Sequence, residues 1–84
     1  MPYAVFILRR AQRELSRLPN LDYERVRDAI RELGDNPRPA GCLQLSGREG
    51  WRIRVGVYRV IYDVDEAIAA VTVLNVGHRR NVYR

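Results

Sequence analysis

The chain predicts an α+β domain: an N-terminal strand, a two-helix hairpin, and a largely antiparallel sheet with the helices packed on one of its faces. Three observations carry that expectation. An apolar run, YAVFIL, stands at 3–8. Apolar residues recur at helical spacing between 10 and 33. From 51 onward, alternating and apolar tracts are separated by short turns. At 84 residues there is room for one domain, 1–84, with a small core and no long inserted loops.

Residues 3–8 make the first strand. In 10–18, Ala11, Leu15 and Leu18 fall on one helical stripe, and Arg10, Arg13 and Arg17 occupy the other sides. Pro19 and Asn20 interrupt the chain. Asp22 then offers an N-cap to a second helix, in which Tyr23, Val26, Ile30 and Leu33 repeat at helical spacing and Gly34 stands at the C′ position. The stretch GDNPRPAG, 34–41, reads as loop. Leu43 to Leu45 is a short edge strand, followed by strands at 51–55, 58–64 and 70–76. The last, AVTVLNV, is apolar on both faces, as a strand inside a sheet should be.

Fifteen basic residues, all arginine, oppose ten acidic ones, for a formal charge of +5. A small domain this basic usually meets a polyanion, and arginine grips phosphate with a planar fork that stays protonated at physiological pH. The single cysteine, Cys42, excludes an internal disulfide, and the spacings of a zinc site are absent, which suits a reducing cytosol. The opening MPYAVFILRRAQ is too short in its apolar run for a secretory signal or a bilayer span, so a soluble cytoplasmic protein is expected, with no membrane partner.

The most informative tract is WRIRVGVYRVIYDVD, 51–65. Gly56 favours a tight hairpin, either a type II′ turn at Gly56-Val57 or a two-residue turn at Val55-Gly56. The II′ turn suits the sequence better because Val55 resists positive φ. Either register puts Arg52, Arg54 and Arg59 on one face and Trp51, Ile53, Val55, Tyr58, Val60 and Tyr62 on the other. A three-residue loop moves Arg59 away. Like charges directly across a sheet repel, so three arginines together call for an anion. The plainer alternative is a solvated face neutralised by the chain's own acids, but these stand mainly in the helices and in DVDE at 63–66.

The ending VGHRRNVYR adds His78, Arg79, Arg80, Tyr83 and Arg84. Gly77 is expected to turn the backbone out of the sheet, so that His78 and Arg79 emerge beside the arginine face. Tyr83 suits either stacking on a base or capping the core. One histidine among several cations is enough for a metal-free phosphodiester cleavage, with His78, of ordinary pKa near neutrality, as a candidate proton acceptor. Arg10, Arg13, Arg17, Arg52 and Arg80 are candidate RNA-binding residues.

The strand, the helical hairpin, the leucine-x-glycine turn at Leu45, Ser46 and Gly47, the tract WRIRVGVYRVIYDVD and the ending VGHRRNVYR together resemble the RelE branch of the RelE/ParE toxin superfamily over nearly the whole chain. The resemblance implies a toxin of a toxin–antitoxin pair that enters the ribosomal A site and cuts messenger RNA there by attack of a ribose 2′-OH on the adjacent phosphate. It implies no metal and no cofactor. Its partners are the ribosome, the messenger RNA and a cognate RelB-like antitoxin. It carries phosphate binding and catalysis onto Arg52, Arg54, Arg59 and Arg79, and base positioning onto Tyr83. In the best-known members the first two of these are lysines, one of them assigned as general base. A guanidinium is a poor proton acceptor, so Arg54 is expected to act electrostatically. Two other readings remain at this point: a ParE-like inhibitor of DNA gyrase that cuts nothing, and a non-catalytic RNA-binding module.

Overall fold

The computed structural model describes residues 2–78. Its elements run β1 (Ala4–Ile7), α1 (Arg9–Ser16), α2 (Asn20–Glu32), β2 (Leu43–Gln44), β3 (Trp51–Val55), β4 (Tyr58–Asp65) and β5 (Ala70–His78). They build one five-stranded sheet in the order β1-β5-β4-β3-β2. Only the β1–β5 pair is parallel, with Val5 opposite Val71 and Ile7 opposite Val73. The expected architecture is the observed one, and the first strand closes it by lying beside the last.

Both helices bury their apolar stripes on the same sheet face. Ala11 and Leu15 of α1 and Val26, Ile30 and Leu33 around α2 meet Ile53, Val60, Tyr62, Val71, Val73 and Val76. Val73 and Val76 are three apart, so strict alternation would send them to opposite faces. The β4–β5 register resolves this by slipping between Ile61 and Tyr62: Ile61 pairs with Asn75 but Tyr62 with Val73. Leu74 is the extra residue of a bulge, and both valines reach the core.

Several local expectations need correction. The second helix starts at Asn20, not after Asp22. Pro19, with φ −54° and ψ 151°, is its N-cap residue, and Asp22 lies in the first turn, where a carboxylate favours the helix dipole. Gly34 does follow the helix end, but its φ is not positive. Its role is close approach: a Cβ there would lie 3.1 Å from the Tyr3 carbonyl oxygen, 3.1 Å from Val5 Cγ2 and 3.2 Å from the Arg31 carbonyl oxygen. Glycine lets β1 pass directly against the end of α2, and Tyr3 N–H donates to the Gly34 carbonyl. Finally, β4 runs to Asp65 and β5 to His78, each beyond its expected end.

Polar side chains tie the layers together. β5 extends past the end of β1, and the Val76 N–H left there donates to Glu14 Oε1 of α1 at 2.9 Å. Gln12 Nε2 donates to the Ile7 carbonyl at 2.8 Å. The fully buried Tyr62 hydroxyl donates to the Pro37 carbonyl at 2.7 Å, which pins the 34–41 loop, and burial raises its pKa well above the usual value. At the surface, Glu66 accepts from Tyr3 Oη and from Arg38, whose guanidinium lies 5.1 Å from the centre of the Trp51 ring.

Two measurements test this account. Gly34→Ala should lower the unfolding free energy by about 1–3 kcal/mol in urea titrations, as overpacking does, because two of its three close contacts are backbone atoms. Glu66 is the pH-sensitive tie: the hydrogen bond from Tyr3, then Arg38, holds its carboxyl below the ordinary 4.5. A depressed native pKa adds stability that is complete above the unfolded-state value and is lost as pH falls through the native one. Glu66→Gln should therefore flatten the acid limb of the stability–pH curve, read as thermal midpoints between pH 3 and pH 6, roughly the range spanned by carboxylates.

Candidate nucleic-acid interface

The β3–β4 hairpin sets the site. Val55 pairs with Tyr58 across a two-residue turn at Gly56-Val57. Gly56 has φ +61° and Val57 is not in the left-handed region, the pattern of a II′ turn rather than I′. Arg54 is consequently opposite Arg59, and Arg52 opposite Ile61, as the II′ register requires. All three arginines share the sheet face turned away from the helices. On β5 the residue beside Arg59 is Gly77.

Directly opposed residues have Cβ atoms about 5 Å apart, close enough for Arg54 and Arg59 to grip one phosphate together. Arg54 is exposed and Arg59 half-buried, whereas Arg52 is only 7 % exposed. Among the described residues the ion pairs are Arg10–Glu14, Arg27–Asp28 and Arg38–Glu66. No acid of the described chain therefore pairs with Arg52 or Arg54. Asp63 and Asp65 are strand residues, not turn residues, and by alternation they lie on this same face. They stand at its far end, beyond Ile61, with Asp63 about 13 Å from Arg59 along the strand at the usual rise. The face is thus divided into a cationic end and an acidic end.

His78 is elsewhere. β5 does not turn out at Gly77 but continues in register, with His78 opposite Tyr58. Cross-strand partners share a face, so His78 belongs to the helix side of the sheet. Its ring meets Tyr58 edge-on at 6.2 Å and 81°, and the Tyr58 hydroxyl donates to Asp22 Oδ2 at 3.2 Å. The half-buried phenol and its Asp22 partner raise the Tyr58 pKa. The expectation that His78 emerges beside the arginine face is therefore corrected by the strand's length. Arg10, Arg13 and Arg17 are exposed on or just after α1, in the layer on the opposite side of the sheet from Arg52, Arg54 and Arg59. The fold does not gather the two sets. Arg79, Arg80 and Tyr83 lie outside the described residues.

One arginine escaped the sequence reading. Arg48, in the loop between β2 and β3, lines a cleft with Arg52. The only signal for it was its position between Gly47 and Gly50, which marks a turn but not a site. No cluster of His, Cys, Asp or Glu capable of holding a metal ion occurs among the described residues, and no helix there is long and apolar enough to cross a membrane. What the arrangement can do is bind an anion and stabilise further negative charge as it develops.

The fold is that of a known class of small toxins. The family model described as the ParE toxin of type II toxin–antitoxin systems, parDE, matches residues 5–83. Toxin RelG of Mycobacterium tuberculosis is 33% identical over 88 residues, covering 100% of this chain and 99% of that protein. Among solved structures, the RelBE2 toxin–antitoxin complex of Mycobacterium tuberculosis superposes with a TM-score of 0.80 at 31% identity, over 94% of this chain and 100% of the other. The archaeal RelE–RelB complex from Pyrococcus horikoshii does so with a TM-score of 0.85 at 28% identity, over 98% and 100%. The chain belongs to the RelE/ParE family of toxins of type II toxin–antitoxin systems.

The opposed arginines imply a trade of stability for binding. Arg54→Thr relieves cross-strand repulsion and should stabilise the fold by about 0.2–1 kcal/mol in chemical unfolding. The same variant should bind single-stranded RNA more weakly, with the slope of log affinity against log salt reduced by about one unit.

Proposed function

We propose that this toxin is a ribosome-dependent endoribonuclease that cuts messenger RNA in the A site and so stops translation. The observation that carries the reading is the opposed pair Arg54 and Arg59 beside a buried Arg52, on a face where no described acid pairs with Arg52 or Arg54. The ribose 2′-oxygen attacks the adjacent phosphorus, the bond to the 5′-oxygen breaks, and the products carry a 2′,3′-cyclic phosphate and a 5′-hydroxyl. The attacking hydroxyl loses one proton and the leaving oxygen gains one. Arg54 and Arg59 hold the non-bridging oxygens and stabilise the charge that builds up in the pentacoordinate transition state. Arg52 supports them from a fixed position. From the family resemblance, Arg79 joins the phosphate contacts and Tyr83 positions the base.

Proton removal is assigned to the electrostatics of this face together with the alignment that the ribosome imposes, not to His78. An imidazole on the helix side of the sheet, edge-on to Tyr58, is suited to hold the end of β5. The neighbouring complexes with RelB-type antitoxins support a RelB-like antitoxin as the partner that keeps the toxin silent, and action on translating ribosomes implies a cytoplasmic protein. The ParE description attached to the family model favours a second reading, inhibition of DNA gyrase without any cleavage.

Primer extension on messages from induced cells separates the two. Cuts within translated codons support the nuclease; intact messages with gyrase-type double-strand breaks overturn it. Arg59→Ala should slow single-turnover cleavage on programmed ribosomes by about 10²-fold or more, the usual cost of removing a donor from a transition-state anion site. His78→Gln should keep the wild-type pH–rate profile, and loss of its rising limb would return the base role to the histidine.

A further inference from the structure

The segment LQLSGREGW, 43–51, folds into a tight excursion between β2 and β3. Its base is closed by the Leu45 N–H, which donates to the Gly50 carbonyl at 3.0 Å. Gly47 and Gly50 take φ +73° and +121°. Gly50 is buried, and a Cβ there would lie 3.2 Å from Leu45 Cδ1, 3.3 Å from Asp63 Oδ1 and 3.3 Å from the Tyr62 carbonyl oxygen. The loop is therefore pinned at its root against β4, while Ser46 and Arg48 at its outer part are exposed.

Beneath it lies a cleft of about 340 Å³ lined by Leu43, Gln44, Leu45, Ser46, Arg48 and Arg52, at the small end of the range for ligand sites. Leu43 is opposite Arg52, so the cleft opens on the arginine side of the sheet. Arg52 is the telling residue: it is 7 % exposed and makes no hydrogen bond or ion pair with any described residue. Its stem is packed away while none of its nitrogens is among the buried atoms left without a hydrogen bond, so the cationic head meets the cleft, to which Arg48 adds a second cation. Leu43, 54 % exposed, supplies an apolar wall that nothing described covers. Cations on one side and an apolar wall on the other suit a ligand with an anionic group and a flat, weakly polar body.

We propose that this cleft is a second nucleotide subsite, which takes the phosphate and base of a nucleotide flanking the scissile bond. Arg48 and Arg52 bind the phosphate, the base lies against Leu43 and Leu45, and the Ser46 hydroxyl meets its polar edge. Arg52 is two residues from Arg54 on the same face, about 7 Å along β3, comparable with the distance between neighbouring phosphates of an extended strand. The assignment rests on the nuclease reading and adds to it a place where nucleotides beyond the cut are sensed.

Two experiments decide it. The first is an NMR titration of the purified toxin with adenosine 3′,5′-bisphosphate and, separately, with inorganic phosphate. The bisphosphate should saturate shifts of the Ser46 and Arg48 amides and the Leu43 methyls, with an affinity that Arg48→Ala lowers about tenfold, as loss of one charge-assisted contact does. Phosphate alone should leave the Leu43 methyls unmoved, and Leu43→Ser should weaken binding of the bisphosphate while leaving that of phosphate unchanged. Equal responses in the wild type, or none at these residues, overturn the subsite. The second is cleavage on programmed ribosomes, where Arg48→Ala should raise the half-saturating ribosome concentration about tenfold without changing the maximal rate. An unchanged half-saturation with an active wild type refutes the subsite and leaves the nuclease standing. A wild type that does not cleave refutes the nuclease, and the titration still decides the cleft.

Discussion

Everything on the functional side depends on the two-residue turn at Gly56-Val57. It sets the register of β3 against β4, and in a strand register decides face. A one-residue slip would turn one strand over against the other, either carrying Trp51 and Ile53 out of the core and Arg52 and Arg54 into it, or Val60 and Tyr62 out and Arg59 in. The requirement that one residue accept positive φ, met by Gly56, thus fixes the hydrophobic core and the cationic surface together.

That surface is held against its own repulsion. Two guanidiniums face each other across the hairpin and a third is nearly buried without a described counter-charge. The fold tolerates this because β4 is a central strand between β3 and β5, and because its other face is packed against two helices. Glu14 to the Val76 backbone, Tyr62 to Pro37 and the Glu66 tie fasten the surrounding segments. A scaffold secured on its helix side can hold closely spaced cations on the other, where they favour negative charge brought beside them.

The acids take part in the same division of the sheet. Asp63 and Asp65 share the arginine face, yet sit past Ile61 at the opposite end, so they shape the field of the face without neutralising its cationic end. An anion drawn to the cationic end is repelled from the acidic one, which favours its placement at the hairpin.

Much of this was legible from the residues alone. Helical spacing marked both helices, Gly56 with the alternation around it marked the hairpin, and together they predicted that Arg52, Arg54 and Arg59 share a face, because turn chemistry and side-chain period are local properties. Three features were not legible, and each depends on partners distant in the chain. The bulge at Leu74 arises from how β5 lies on β4, and it brings Val73 and Val76 into one core. Gly34 is required by the passage of β1 and not by its own φ. His78 stays in the sheet because Tyr58 offers it a place in register, whereas glycine at 77 had suggested an exit. The sequence by itself determined the order of elements, the register of the central hairpin and the arginine triad. The tertiary structure alone decided which residues keep company with that triad, bringing Arg48 to Arg52 and taking His78 and the arginines of α1 to the far side, since face and neighbourhood follow from packing between segments that no local pattern encodes.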